Sequence, residues 1–169
     1  MFIVAIVATI SFLAACSGGS KDQIVHKWKF SGMQSPQMDR MMAENDKKIA
    51  ELADSIAAAG ADTTKASSFK GQKEMMESQK TMMSSMIDKM KAEGWIEFTK
   101  EGKYKQNMSG TEDEGTYSLS ADGKSLMTTD SKGKTDTLNV DALTASDMTL
   151  STPKDSTKIM FTAEAAEAK

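Results

Sequence analysis

The sequence EGTYSLSADGKSL occupies residues 114–126 and combines two patterns that together indicate a β-hairpin. Tyr117, Leu119 and Leu126 alternate with small polar residues, which is the two-residue period of a strand with one buried face. Asp122-Gly123 stands between the alternating runs, and this dipeptide favours the tight turns that connect antiparallel strands. The segment therefore predicts two antiparallel strands joined by a short turn.

The same alternation continues on both sides of this hairpin. Glu101-Gly102 and Lys132-Gly133 are further turn signals between short runs of alternating apolar and polar residues. We predict seven strands in this half of the chain, at residues 95–99, 103–109, 115–119, 125–129, 135–140, 147–151 and 157–163. An eighth strand is predicted at residues 24–30, where one face carries Ile24, His26, Trp28 and Phe30.

Residues 34–93 separate the first two predicted strands and have helical periodicity. Ser35-Pro36 is typical of a helix start, and apolar residues recur every three or four positions as far as Gly60. After a polar linker at residues 60–68, a second helix is predicted over residues 72–93, ending before Gly94. The expected fold is mostly β with an α insertion: an eight-stranded antiparallel up-and-down barrel with an αα-hairpin inserted between strands 1 and 2.

The composition excludes several classes of function. The chain has 169 residues, which is room for one ordinary domain, and a formal net charge of −3, which gives no general attraction to nucleic acid. Its single cysteine and single histidine exclude a disulfide framework and a Cys/His zinc site. We expect a non-enzymatic protein with no catalytic residues, no cofactor, no metal site and no nucleic-acid partner.

The amino terminus carries a targeting signal. Residues 1–15 are an uncharged apolar run, too short for the roughly 20 residues of a membrane span, and they end in small alanines. We predict a signal peptide at residues 1–15, a flexible tether at 16–23, the barrel with its insertion at 24–163 and a polar tail at 164–169.

Leu13-Ala14-Ala15-Cys16 resembles a bacterial lipobox, the motif at which the cysteine thiol is acylated and becomes the new amino terminus. The resemblance implies a lipoprotein, labelled by palmitate, whose partner is the lipid bilayer. Ser17 after the cysteine resembles the sorting signal of Gram-negative lipoproteins exported to the outer membrane. The expected location is therefore the outer membrane, at its periplasmic face or at the cell surface.

Trp28 on the first strand and the hairpin at residues 114–126 resemble the lipocalin-like lipoproteins of Gram-negative envelopes, over residues 25–30 and 94–163. The chain departs from the usual G-x-W pattern with His26-Lys27-Trp28, and Lys158 is the nearest substitute for a last-strand arginine covering Trp28. The resemblance implies a barrel that binds or shields a small hydrophobic ligand in the cell envelope.

Candidate ligand contacts lie in the barrel and in the second helix. They are Trp28, Phe98, Tyr104, Met108, Tyr117, Leu138, Met83, Met86 and Met90. Two interpretations stay open, because an eight-stranded barrel either is filled by its own side chains or holds one small ligand. If the barrel is filled, the protein is an interaction protein whose methionine-rich hairpin docks another envelope component.

The methionines of residues 34–93 have three interpretations. Nine of the fifteen methionines lie there, and their side chains are flexible and adaptable. They would pack the two helices together and onto the barrel, or they would form a lid or docking surface. In the third interpretation, their thioethers bind Cu(I). His26 is interpreted as a satisfied histidine at a barrel end or as a ligand sensor. Glu112-Asp113-Glu114 is predicted to be a solvated turn and not a cation site.

Overall fold

The computed structural model describes residues 19–108 and 110–164. Three helices are present: α1 (Gly19–Ile24), α2 (Pro36–Ala59) and α3 (Thr63–Glu93). The strands are β1 (Lys27–Gln34), β2 (Trp95–Phe98), β3 (Lys103–Asn107), β4 (Glu112–Leu119), β5 (Ser125–Asp130), β6 (Thr135–Leu143), β7 (Asp147–Ser151) and β8 (Lys158–Ala163).

The eight strands form a closed antiparallel barrel. Each strand pairs with the next along the chain, and β8 pairs with β1 to complete the circle. The registers shift between Phe30 and Gly32 in β1 and between Val140 and Ala142 in β6, where an unpaired residue bends the strand. The predicted fold class is confirmed, including the insertion of two helices between the first two strands.

The core is formed by side chains that alternate inward along the strands. These buried apolar residues are Ile24, Trp28, Phe30, Ile96, Phe98, Tyr104, Leu126, Met148, Leu150 and Phe161. Edge-to-face aromatic contacts order the core, with Phe30 and Phe161 rings 6.1 Å apart and Phe98 and Tyr117 rings 4.8 Å apart. The predicted alternation therefore assigned these strand faces correctly.

One end of the barrel is closed by α1. Ile24, its last residue, is only 1% exposed, and its carbonyl accepts a 2.9 Å hydrogen bond from the indole nitrogen of Trp28. The helix also contacts β6, which lies well away from β1 around the barrel, so α1 crosses this end. This end, with the β2–β3, β4–β5 and β6–β7 turns, is called the closed end, and the other is called the open end.

The structure differs from the sequence prediction around α1. The helix Gly19–Ile24 begins within the predicted tether at 16–23 and extends one residue beyond it, and the predicted strand at 24–30 begins only at Lys27 and continues to Gln34. The physical reason is that Ile24 must leave the extended conformation for its carbonyl to meet the indole four residues later. Alternation alone does not distinguish this turn from the first residues of a strand.

The inserted helices form an antiparallel pair. Ser35 caps α2 by accepting from the Met38 backbone N–H, and the helix ends at Gly60, both as predicted. The second helix begins at Thr63, because the Asp62 side chain accepts from the Lys65 backbone N–H, so the predicted linker at 60–68 is too long. The half-buried residues of α3 recur with coiled-coil spacing, at Ala66, Phe69, Lys73, Met76, Lys80, Met83, Ile87 and Met90.

The helical pair joins the barrel at the open end. The backbone N–H of Phe30 donates to the carbonyl of Gly94, just after α3, over 2.9 Å. A Cβ at Gly94 would lie 3.1 Å from the Cβ of Phe30, so the absence of a side chain permits this approach. The Thr157 hydroxyl, in the β7–β8 loop, donates to the hydroxyl of Ser35 over 3.1 Å. Hydrogen bonds thus hold one end of the insertion to β1 and the other end to the β7–β8 loop.

Glu112-Asp113-Glu114 forms the first part of β4, so the prediction of a solvated turn is wrong. Asp113 pairs with Gln106 of β3 and faces the same side as Tyr104 and Gly115, which is the barrel interior. Backbone pairing with β3 decides the conformation here, because local charge repulsion between exposed carboxylates is weak in water. The consequence is a carboxylate inside the barrel.

Candidate functional site

The open end of the barrel contains a cavity of about 790 Å³, within the size range of small-molecule sites. We call it the barrel cavity. Its lining residues are Ile96, Tyr104, Gln106, Asp113, Leu126, Thr128, Asp130, Lys134, Thr135, Asp136, Thr137, Leu138, Leu150, Thr152, Pro153, Lys154 and Asp155. The interpretation of a completely filled barrel does not describe this half of the interior.

The cavity has an apolar floor and a polar wall. The floor side chains are Ile96, Tyr104, Leu126, Leu138 and Leu150. Above them the inward positions of β3 to β6 become polar, because these strands continue their alternation with Asp, Gln or Thr toward the open end. Toward the open end, the next inward residue is Asp113 after Gly115 on β4, Asp130 after Thr128 on β5, and Asp136 after Leu138 on β6.

Gly115 lets Tyr104 approach the aspartates of the polar wall, which we call the acidic wall. It pairs with Tyr104 on one side and with Asp130 on the other, so no side chain separates the phenol ring from β5. A Cβ at Gly115 would lie 2.8 Å from Cε1 of Tyr104 and 2.0 Å from the carbonyl oxygen of Thr129. The glycine is therefore required by the close approach of ring and strand.

The electrostatic character of the cavity is negative. Burial raises the pKa of the Tyr104 phenol, and the nearby carboxylates Asp113, Asp130 and Asp136 raise it further. Four aspartates and two lysines are among the described lining residues. The lysines, Lys134 and Lys154, come from the turns at the rim, whereas Asp113, Asp130 and Asp136 come from strands.

Some of these carboxylates have structural partners. Asp130 accepts from the backbone N–H groups of Lys132 and Lys134 and so holds the β5–β6 turn. Lys134 lies 2.8 Å from Asp136 in an exposed ion pair, and Asp155 bonds to Thr152 and to the backbone of Thr157. The Asp113 carboxylate accepts a hydrogen bond from the backbone N–H of Glu114 and a longer one, of 3.5 Å, from the Ser131 hydroxyl.

The predicted barrel residues fall into three places. Tyr104 and Leu138 line the barrel cavity. Trp28 and Phe98 are buried beneath it, and Met108 is half-buried against the same core. Tyr117 lies toward the closed end, where its hydroxyl donates to the Thr99 carbonyl over 2.8 Å. The structure thus gathers two of these residues at the cavity, and ligand contact by any of them stays a prediction.

The predicted methionines of α3 also separate. Met83 lies in the seam between the helices, Met90 packs against the barrel core, and Met86 is 53% exposed. Of the described residues that line the barrel cavity, none belongs to α2 or α3. Each methionine doublet is divided between the seam and the outer face, where Met75 and Met82 are exposed. Docking by this face stays a prediction.

Trp28 is covered from the closed end. The ring of His26 meets its indole edge-on at a centroid distance of 5.8 Å, and His26 itself is exposed. Lys158 lies at the other end of the barrel, 3.8 Å from Asp141, so the expectation that it covers Trp28 is wrong. A smaller cleft of about 310 Å³ lies beside α1, outside the closed end, and includes Lys21 and Tyr117.

The described residues contain neither a metal-binding cluster of side chains nor a helix able to cross a membrane. Within residues 19–108 and 110–164, no three His, Cys, Asp or Glu side chains are grouped so as to hold a metal ion. Among the three described helices, none has the length and apolar character needed to cross a bilayer. Cys16, the predicted lipidation site, lies outside the described residues.

The fold and the cavity define a closed eight-stranded up-and-down β-barrel with an opening at one end and an inserted helical hairpin. No protein-family model matches the sequence, and no curated protein sequence matches it. Among solved structures, the chain is similar to a lipocalin-like protein from Bacteroides uniformis, with 20% identity, a TM-score of 0.35, and coverage of 43% of this chain and 79% of that one.

The chain is also similar to a DUF4847 family protein from Bacteroides vulgatus, with 14% identity and a TM-score of 0.42. That alignment covers 85% of this chain and 96% of the other. These likenesses are too distant to carry residue roles.

Proposed function

We propose that the protein binds a small, partly apolar ligand in the barrel cavity and shields it from water. The observation that carries this proposal is the 790 Å³ opening above an apolar floor of aliphatic and aromatic side chains. Burial of apolar surface supplies about 25 cal/mol per Å² of contact, which is enough for a small molecule to bind in a preformed site. The polar wall would fix the orientation of such a ligand.

A neutral fluorescent dye, Nile red, tests the cavity directly. Replacing Leu138 with tryptophan puts a larger side chain on the floor, and we expect the affinity for the dye to fall at least about tenfold. The reason is that the added ring occupies the volume that the dye needs. The measurement is a fluorescence titration of the full chain carrying Cys16→Ser, which removes the acylated thiol from the experiment.

Met127→Trp is the matched control for this substitution. Met127 is 45% exposed on β5, and it alternates with Leu126 and Thr128, which line the barrel cavity, so its side chain lies on the outer face. We expect this variant to bind the dye as tightly as the parent. Equal loss in both variants, or a titration that never saturates, would contradict binding in the barrel cavity.

The second part of the proposal is attachment to the outer membrane through an acylated Cys16. It rests on the resemblance of Leu13-Ala14-Ala15-Cys16 to a lipobox and on Ser17 after it. Cys16 precedes α1 by three residues, which span at most ~10 Å, so the acyl chains would attach near the closed end. The open end would then be directed away from the anchor point.

Cys16→Ser is expected to abolish incorporation of radioactive palmitate in growing bacteria, because the chain contains no other cysteine. Cell fractionation of the same cultures should move the protein from the membrane to the soluble fraction, since no covalent lipid would remain. Ser17→Ala is a control that keeps the thiol and should keep the label. Palmitate incorporation that persists in Cys16→Ser would refute the anchor.

A further inference from the structure

Charge is distributed unevenly along the depth of the barrel cavity, and this asymmetry defines the chemistry of a ligand. The negative side chains Asp113, Asp130 and Asp136 project from three consecutive strands onto one side of the wall. The two lysines of the lining belong to the turns at the rim, and Lys134 forms an exposed ion pair with Asp136, which is weak enough for the cation of a ligand to replace it. A molecule inside the mouth therefore meets carboxylates along one wall.

The positions of these aspartates relative to the floor set the distance between the two parts of a ligand. Asp136 lies one inward position above Leu138 on β6, and Asp113 lies one inward position above Gly115 on β4. Inward positions on one strand are about 6–7 Å apart. In a ligand whose apolar part lies on the floor, the charged group would therefore be only a short distance from that apolar part.

We propose that the ligand is an amphipathic organic cation, with an aliphatic or aromatic body on the apolar floor and an ammonium or guanidinium group beside Asp113 and Asp136. This inference rests on the proposed function, because it specifies the occupant of the same cavity. Carboxylates at the edge of a poorly hydrated floor attract a cation more strongly than they would in bulk water. They repel a carboxylate of the same size, so a fatty-acid anion is disfavoured.

Two features other than charge fit this occupant. The Tyr104 phenol lies beside these carboxylates and is uncharged at neutral pH, because its ordinary pKa already lies well above neutrality and burial and the carboxylates raise it further. Gln106 pairs with Asp113 and lines the cavity, and its amide oxygen can accept a hydrogen bond from an ammonium group. The floor itself contributes no charge, so the head group alone decides between ligands with the same body.

Three ten-carbon probes that differ only in the head group test the inference: decylamine, decanol and decanoate. Each is titrated, below its micelle concentration, into the complex of Nile red with the full chain carrying Cys16→Ser. We expect decylamine to displace the dye at a concentration about tenfold or more below that of decanoate, with decanol between them. Raising the salt from 50 to 500 mM should reduce this difference, because ions screen the carboxylates.

The aspartates are tested by Asp113→Asn combined with Asp136→Asn, changes that keep the side-chain shape. We expect the advantage of decylamine over decanoate to fall severalfold while decanol is unaffected. Glu112→Gln is the matched control, because Glu112 is the exposed neighbour of Asp113 on β4 and points outward. It removes the same charge from the same strand and should leave the order of the three probes unchanged.

The outcomes separate this inference from the proposed function. If decanoate or decanol displaces the dye as readily as decylamine, the selection of a cation is overturned, while binding in the cavity stands. If the preference for decylamine is equally strong in the double asparagine variant, Asp113 and Asp136 do not select the ligand, and the inference is again overturned. If Nile red does not bind, or if Leu138→Trp does not weaken its binding, the proposed function itself is contradicted.

Discussion

Replacing Trp28 with alanine is expected to lower the free energy of unfolding by about 3–5 kcal/mol. The indole is completely buried, and it connects the barrel core to the helix that closes one end. Its removal leaves a large void and also leaves the carbonyl of Ile24 without the indole donor. Thermal unfolding followed by circular dichroism should therefore show a midpoint lowered by roughly 10 °C or more.

Trp95→Ala is the matched control for Trp28→Ala. Trp95 is only half-buried at the start of β2, where the Lys27 ammonium lies 5.0 Å from its ring. Its loss should cost clearly less, because part of the ring already contacts water. Trp28→Phe, which retains an aromatic ring without the indole N–H, should fall between the two. Equal losses in Trp28→Ala and Trp95→Ala would contradict the central role assigned to Trp28.

Gly115→Ala is expected to destabilise the barrel by about 3 kcal/mol, although it adds a single methyl group. The new Cβ would lie 2.0 Å from the carbonyl oxygen of Thr129, which is backbone and cannot rotate away. Separation of β4 from β5, or displacement of the Tyr104 ring, is the only relief. Chemical denaturation should show a lower midpoint, and the affinity for Nile red should fall because Tyr104 is part of the cavity floor.

Gly71→Ala is the corresponding control. Gly71 lies within α3, and a Cβ there would meet nothing within 4 Å. Alanine favours a helix over glycine by about 1 kcal/mol, so this substitution should leave stability unchanged or raise it. If Gly115→Ala behaves like Gly71→Ala, the close approach of β4, β5 and Tyr104 does not constrain the barrel as described.

The strand that contains Trp28 could be predicted from the sequence only in part. Alternation placed Trp28 on an inward face, and the structure confirms that it is buried. The same alternation extended the strand back to Ile24, and there it was wrong, because a hydrogen bond from the indole stabilises a helix end. Period-two patterns report which face a residue occupies, but they do not report where the backbone stops pairing.

The acidic wall was missed although a signal for it was present. Counting by two from the predicted apolar residues leads to Asp113 on β4, Asp130 on β5 and Asp136 on β6. Asp113 was predicted to lie in a solvated turn, and nothing in the sequence near it indicated that it would lie beside Asp130 and Asp136. Their convergence depends on the stagger of neighbouring strands, which brings residues far apart in sequence to one level of the barrel.

The methionine-rich helices were predicted correctly as elements, but the positions of their methionines were not. Their periodicity predicted two helices correctly, with the Ser35 cap and the Gly60 stop in the right places. It did not reveal which methionine of each doublet would enter the seam, because both lie next to the apolar stripe. The packing of α2 against α3 decided this, and Met83 entered the seam while Met82 was left 71% exposed.

Local sequence determined the elements of this protein: the turns, the alternating faces and the helix caps. These properties depend on residues a few positions apart, whose preferences act before any tertiary contact forms. Only the tertiary structure decided that the interior is packed toward α1 and open at the other end. That outcome depends on the volumes and charges that eight strands bring together across the barrel, and no single segment contains that information.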